Sequence, residues 1–238
     1  MTRADDILRS IAFYVAFYGG TVLLVLAAFV ALAFGRRPFT AVVLAWSRWH
    51  RFCVNHLLGI RVVIEGELPT GGVLVAMKHE SFFEAIDLPT VLDRPAIFAK
   101  AELLRLPLWG KIGRLYGLIP VERDQGAKAL RQMLAAAREQ TATGRMLAIF
   151  PEGTRVPHGA PAPLQAGFAA LYKLLGLPVV PLAVDSGPVY HRRWKRPGTI
   201  TIRTGEAIPP GLPRQEVEAR VDEAINALNT VPDQGAPA

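Results

Sequence analysis

Between Ile11 and Phe34 the chain reads IAFYVAFYGGTVLLVLAAFVALAF, 24 residues without a charge. As a helix rising ~1.5 Å per residue it reaches ~36 Å, against ~30 Å of hydrocarbon in a bilayer. It is long enough to span. Gly19 and Gly20 interrupt the run and Tyr14 and Tyr18 occupy its first half, so a bent segment inserted into one leaflet satisfies the same composition. A secretory signal is the competing reading, because Arg3 and Arg9 precede the run. The run exceeds the ~7–15 apolar residues of an ordinary signal sequence, and length also disfavours a buried helix of a soluble core. Arg36, Arg37, Arg48 and Arg51 follow at once and predict that what comes next lies on the cytoplasmic face of the membrane. Residues 39–58, TAVVLAWSRWHRFCVNHLLG, mix Trp46, Trp49 and Phe52 with Arg48 and Arg51. They suit either an interfacial helix or a helix packed on its own domain.

The rest of the 238 residues leaves room for one main domain. A hydrophobic share of 51% argues against disorder. Lysine and arginine number 27 against 20 aspartates and glutamates, a net charge of +7, which suits anionic lipid, nucleic acid or a phosphorylated substrate equally well. The single cysteine, Cys53, rules out an intrachain disulfide and a multi-cysteine zinc site.

After residue 60, short β-branched or apolar runs alternate with helical patterns. The strands are expected in RVVIEG (61–66), GVLVAMKH (72–79), AIFAKAEL (96–103), GLIPVER (117–123), RMLAIFPEG (145–153), PVVPLAVDSG (178–187) and TITIRTG (199–205). Helices are expected over 127–140, over 167–176 with a glycine stop, and over 214–229. The alternation predicts an α/β fold: a mixed, largely parallel sheet flanked by helices, preceded by an N-terminal hydrophobic membrane-anchoring helical segment. Residues 1–58 are read as anchor and interfacial helix, 59–230 as the catalytic domain and 231–238 as a flexible tail.

Chemistry concentrates where strands end. In MKHESFFEAID (77–87), His79 stands five residues before Glu84. Two positions that far apart on one helix point about 140° from each other, so His79 must lie off the helix if Glu84 is to reach it. A carboxylate that accepts from Nδ1–H frees Nε2 as a base, and an imidazole of pKa ~6.5 takes a proton at neutral pH. Ser81-Phe82-Phe83-Glu84 is equally a capping box. Both roles coexist if Glu84 divides its oxygens, and Asp87 could supply the carboxylate instead. His50, His56, His158 and His191 are read as ordinary surface or packing residues. In FPEGTR (150–155), Gly153 lets backbone N–H groups approach an anion, Thr154 offers a hydroxyl, Arg155 a bidentate fork, and Glu152 can hold a cation or a substrate hydroxyl. Taken alone the hexapeptide could be a simple turn. Arg123 and the pair Ser186-Gly187 close two further strands and could likewise be structural only.

These blocks, in this order and after an apolar N-terminus, resemble the 1-acylglycerol-3-phosphate acyltransferases of the glycerophospholipid acyltransferase family over roughly residues 60–205. The family's His, four residues, then Asp corresponds to His79 and Glu84, with Glu substituted and with Lys78 where Asn commonly precedes the histidine. Ile119, Pro120, Val121 and Arg123 match its second block, Phe150 to Arg155 its third, and Val180 to Val184 its fourth. The resemblance implies acyl transfer from acyl carrier protein or a coenzyme A thioester to the sn-2 hydroxyl of lysophosphatidic acid, forming phosphatidic acid. In that scheme His79 is the general base, Glu84 stabilises the imidazolium and Lys100 helps the tetrahedral oxyanion. Arg123, Glu152, Gly153, Thr154 and Arg155 form the phosphate-binding group. No metal or bound cofactor is implied, the partners are membrane lipid and the two substrates, and nucleic acid is not among them. The rivals are transfer to another acceptor, such as glycerol 3-phosphate, a lyso-ornithine lipid or another lysophospholipid, and a non-catalytic lipid-phosphate-binding module. A hydrolase using Ser186 with His79 is opposed by the lack of any G-x-S-x-G elbow.

Overall fold

The protein is described here by a computed structural model covering residues 4–122 and 126–229. Arg123 and the tail 231–238 lie outside the described residues. The strands are β1 (Ile60–Glu65), β2 (Leu74–Met77), β3 (Ala96–Lys100), β4 (Ile119–Val121), β5 (Leu147–Ile149), β6 (Val179–Val184) and β7 (Gly198–Thr204). Each overlaps one of the expected segments, with β1 and β7 beginning one residue earlier than expected. The helices are α1 (Ala4–Leu32), α2 (Arg36–His56), α3 (Phe82–Val91), α4 (Trp109–Tyr116), α5 (Gly126–Ala142), α6 (Ala166–Leu175), the single turn α7 (Gly187–Tyr190) and α8 (Arg214–Ile225).

The strands form one sheet in the order β1-β7-β6-β2-β5-β3-β4. Only β6 and β7 pair antiparallel, so β2 to β6 all run the same way and their C-terminal ends share one edge. Side chains alternate across the sheet with the period of two that a pleat imposes. Val75 and Met77 of β2 enter a core with Phe13, Phe17, Phe83 and Val184, whereas Leu74 and Ala76 enter one with Met133, Phe168, Val217 and Val221. Thus α1, α2 and α3 cover one face, and α5, α6 and α8 the other. The AIFAKAEL strand stops at Lys100 instead of continuing to Leu103. Lys100 pairs with Val121, the last residue of β4, so no ladder remains and the chain tightens into a 3₁₀ turn at Ala101–Arg105.

The glycine pair does not break α1. A Cβ on Gly20 would lie 2.2 Å from Trp49 Nε1, so the glycine is what lets α2 close onto α1. Trp49 Nε1 then donates to Ala16 O (3.2 Å) and Trp46 Nε1 to Thr21 Oγ1 (3.0 Å). Near its start α1 is tied to the loop before β7, where Lys195 N–H donates to Ser10 Oγ (2.8 Å) and Tyr14 OH to Arg193 O (2.6 Å). Near its end Ala28 and Ala31 pack with Phe39, Ile112 and Tyr116 of α2 and α4. Its opposite side is bare: Leu8, Val15, Val22, Leu23 and Val30 are all more than half exposed. On α2 the inward face packs on the domain, with Ser47 Oγ donating to Ile86 O (2.7 Å) and Arg51 forked onto Asp87.

His50, also on that inward face, is fully buried, with Nε2 2.9 Å from the Tyr190 hydroxyl and Phe13, Phe17 and Phe83 around the ring. Burial, reinforced by the Arg51 and Lys195 charges, pushes its pKa down to about 3. Unfolded, the same ring titrates near ~6.5. Between those values only the unfolded chain takes the proton. The stability His50 contributes is therefore complete above the unfolded value and is lost as pH falls toward the folded one, by up to about 1.4 kcal/mol per pH unit. The melting temperature is expected to drop more steeply from pH 7 to pH 5 in the wild type than in His50→Gln. Parallel pH profiles for the two proteins would show that the acid sensitivity arises elsewhere.

Candidate active site

The site lies at the C-terminal edge of the sheet, where the central strand β2 hands over to α3. Lys78 N–H donates to Leu182 O (2.9 Å), which extends the β2–β6 ladder by one step. His79 follows in the bend, and Ser81 caps α3, its Oγ accepting from Phe83 N–H at 3.1 Å. The imidazole therefore stands off the helix, as the five-residue spacing requires. Its ring lies nearly flat against Phe150, with centroids 4.1 Å apart and planes 23° from parallel, and its side chain is 15% exposed.

Glu84 is fully buried and lies against both the helix cap and the imidazole, though not by dividing its oxygens. Oε2 accepts Ser81 N–H (3.0 Å), completing the capping box, and the same oxygen sits 3.4 Å from His79 Nδ1. That separation is an ion-pair distance rather than an aligned hydrogen bond, the looser geometry common before substrate draws a site together. Oε1 accepts from the Ser186 hydroxyl, which also lies 2.7 Å from Ser81 Oγ. Ser186 is thus buried beneath the carboxylate and committed to it, the opposite of an exposed nucleophile. Asp87 is taken by Arg51 and is not the partner of His79.

The turn after β5 comes alongside. Gly153 has φ +69°, a left-handed conformation that costs glycine nothing. Val156 N–H donates to His79 O (2.8 Å), which pins this turn to the histidine. Thr154 and Arg155 are exposed, and the Arg155 guanidinium lies 4.1 Å over the ring of Phe82, the first residue of α3. The Arg155 cation thus sits at the start of α3 on a turn tied to His79, an arrangement suited to an anion. Burial lowers the pKa of His191, and the charge of Arg155 lowers it further. Glu152 points the other way. It is buried, Oε1 lies 2.5 Å from Lys78 Nζ, and Oε2 accepts His79 N–H at 3.2 Å. The cation it holds is therefore the protein's own.

Lys100 ends β3, two strands from β2, exposed and 3.4 Å from Glu102. Arg123 lies outside the described residues. One pairing of titratable side chains has no counterpart in the sequence reading. His158, taken as an ordinary histidine, has Nδ1 2.9 Å from Oε1 of the buried Glu80, whose Oε2 accepts Gly187 N–H at 2.7 Å. Burial raises the Glu80 pKa, and the Gly187 N–H and His158 oppose that rise. Nothing in the local sequence around either residue signals this pairing.

The acyltransferase family model matches residues 59–185, from the start of β1 to just past β6. A 1-acyl-sn-glycerol-3-phosphate acyltransferase of Pseudomonas aeruginosa is 31% identical over 93% of this chain and 86% of its own length. The mouse 1-acyl-sn-glycerol-3-phosphate acyltransferase alpha is 29% identical over 92% of this chain and 80% of its own. The crystal structure of the 1-acyl-sn-glycerophosphate acyltransferase PlsC from Thermotoga maritima shares the fold, with a TM-score of 0.71 and 20% identity over 96% of this chain and 97% of that one. By family match, by likeness to these relatives and by fold, this chain is an enzyme of the acyltransferase family.

Proposed function

We propose that the protein transfers a fatty acyl group from a thioester donor, acyl carrier protein or coenzyme A, to the sn-2 hydroxyl of 1-acylglycerol 3-phosphate, forming phosphatidic acid. The observation that carries this reading is the His79–Glu84 pair set beside the Arg155 guanidinium in a chain of this family. His79 Nε2 takes the hydroxyl proton as the oxygen attacks the thioester carbonyl, and the buried Glu84 carboxylate stabilises the imidazolium. When the tetrahedral intermediate collapses, the C–S bond breaks and the leaving thiolate takes the proton back from His79. The products are an ester and a free thiol, so no acyl-enzyme is needed. Lys100 serves the developing oxyanion by exchanging Glu102 for it, since an exposed ion pair holds it only weakly. Arg155, with Gly153 and Thr154, holds the acceptor phosphate. Arg123 joins them on sequence grounds, and Glu152 contributes from below by fixing the histidine backbone.

The long apolar α1 indicates membrane association. Both ends of α1 are packed on the domain, which favours a helix lying in one leaflet with its bare face in lipid over one crossing the bilayer. Residues 1–58 then hold residues 59–230 against the membrane, on the cytoplasmic face if the arginines after α1 follow the usual charge rule. A two-tailed product never has to leave the bilayer.

The test is purified protein in lipid vesicles with lysophosphatidic acid and each thioester in turn. Phosphatidic acid is expected from at least one donor, and glycerol 3-phosphate or lysophosphatidylcholine should replace lysophosphatidic acid poorly. Arg155→Ala should raise the acceptor KM about tenfold and leave the donor KM alone, as befits one charge-assisted contact to phosphate. Absence of phosphatidic acid with both donors would reject the assignment.

A further inference from the structure

Lys78 has no part in the chemistry above, yet its side chain is fully buried directly before the base. An ammonium stripped of water at that depth is unstable unless charge and hydrogen bonds replace the solvent. Here Nζ lies 2.5 Å from Glu152 Oε1 and donates to Asn226 Oδ1 at 2.7 Å. The other Glu152 oxygen accepts the backbone N–H of His79 at 3.2 Å. One carboxylate is thus stretched between a buried cation and the main chain of the base. Three distant segments meet in this knot: the exit of β2, the turn that carries Arg155, and the end of α8.

We infer that Lys78 is a positioning residue, holding the Glu152 carboxylate in place so that it fixes the His79 backbone and sets where the imidazole stands against the acceptor. The inference rests on the reading of His79 as the base. Without the ammonium, Glu152 is a buried carboxylate lacking its counter-charge, and the constraint on His79 N–H goes with it. A displacement of about 1 Å in a catalytic group costs ~10²-fold in rate. The loss falls on kcat, because the base acts in the chemical step. Acceptor affinity changes less, because the Arg155 guanidinium, though its turn joins the knot, is itself seated on the Phe82 ring of α3.

The test is a double-mutant cycle of Lys78→Met and Glu152→Gln in the full chain, reading kcat, acceptor KM and melting temperature. Lys78→Met should lower kcat at least tenfold while acceptor KM changes less than threefold, a split that general loosening of the fold would not give. The double variant removes the uncompensated carboxylate and should melt higher than Lys78→Met. Its kcat should be no lower than that of the slower single variant, because both changes break one chain of contacts. If Lys78→Met proves too unstable to assay, the double variant and Glu152→Gln carry the comparison. Wild-type kcat in the folded double variant, or losses in the double that multiply those of the singles, would overturn the inference. Failure of the wild type to acylate lysophosphatidic acid would instead strike the functional reading beneath it.

Discussion

His79→Ala is expected to lower kcat by ~10²–10⁴-fold in a protein that still folds and still binds vesicles, the range over which a positioned general base accelerates proton transfer. The surroundings of the ring make this a clean experiment. The backbone contacts of residue 79, N–H to Glu152 and C=O from Val156, do not involve the imidazole and survive its removal. Glu84 keeps Ser81 N–H and the Ser186 hydroxyl, so no buried charge loses all its partners. What disappears is one partly exposed ring and its stacking on Phe150. Initial rates of phosphatidic acid formation, with melting temperature and vesicle co-sedimentation as controls, decide the matter. A folded variant keeping more than about a tenth of the wild-type rate would remove His79 from the mechanism.

The parts of this design that could be read from the sequence are those governed by neighbours along the chain. The β-branched runs at 61–66 and 199–205 became β1 and β7 because pleat and hydrophobic pattern act within a few residues. The placing of His79 off the helix followed from rotation per residue alone, and the cap at Ser81 from a four-residue pattern. What stayed hidden was contact across the sheet. Glu84 meets Ser186 only because β6 lies beside β2, and Lys78 meets Glu152 only because β5 lies on its other side. The same adjacency brings His158, on the loop after β5, to Glu80. Local sequence carried no sign that Glu152 faces inward, since the exposed Arg155 and the buried Glu152 belong to one hexapeptide. The N-terminal helix was legible as apolar and long, but its packing on the domain was not. Its orientation is set by tertiary partners at both ends, Ser10 with Lys195 and Ala31 with the α2–α4 cluster.

Glu84→Gln is expected to separate the helix cap from the duty in proton transfer proposed for the same carboxylate. Glutamine at the third position of a helix also completes a capping box, so its carbonyl can go on accepting Ser81 N–H and α3 should hold. Its Oε1 or Nε2 can still meet the Ser186 hydroxyl, which donates or accepts as needed. The charge does not survive the change. A neutral amide no longer stabilises the imidazolium formed as the acceptor hydroxyl is deprotonated. If it turns its NH₂ toward Nδ1, it also favours the tautomer whose Nε2 already bears hydrogen and cannot act as a base. Both effects fall on the chemical step. We therefore expect kcat to drop on the order of 10²-fold with acceptor KM nearly unchanged, and the melting temperature to shift by only a few degrees, in keeping with ~1 kcal/mol at a helix cap. An unchanged kcat would mean that Glu84 does no more than start a helix, and that His79 either draws on another charge or is not the base. A large fall in melting temperature together with activity would instead make the buried carboxylate a structural keystone beneath β2 and β6, with its place in proton transfer still to be earned by a variant that spares the fold.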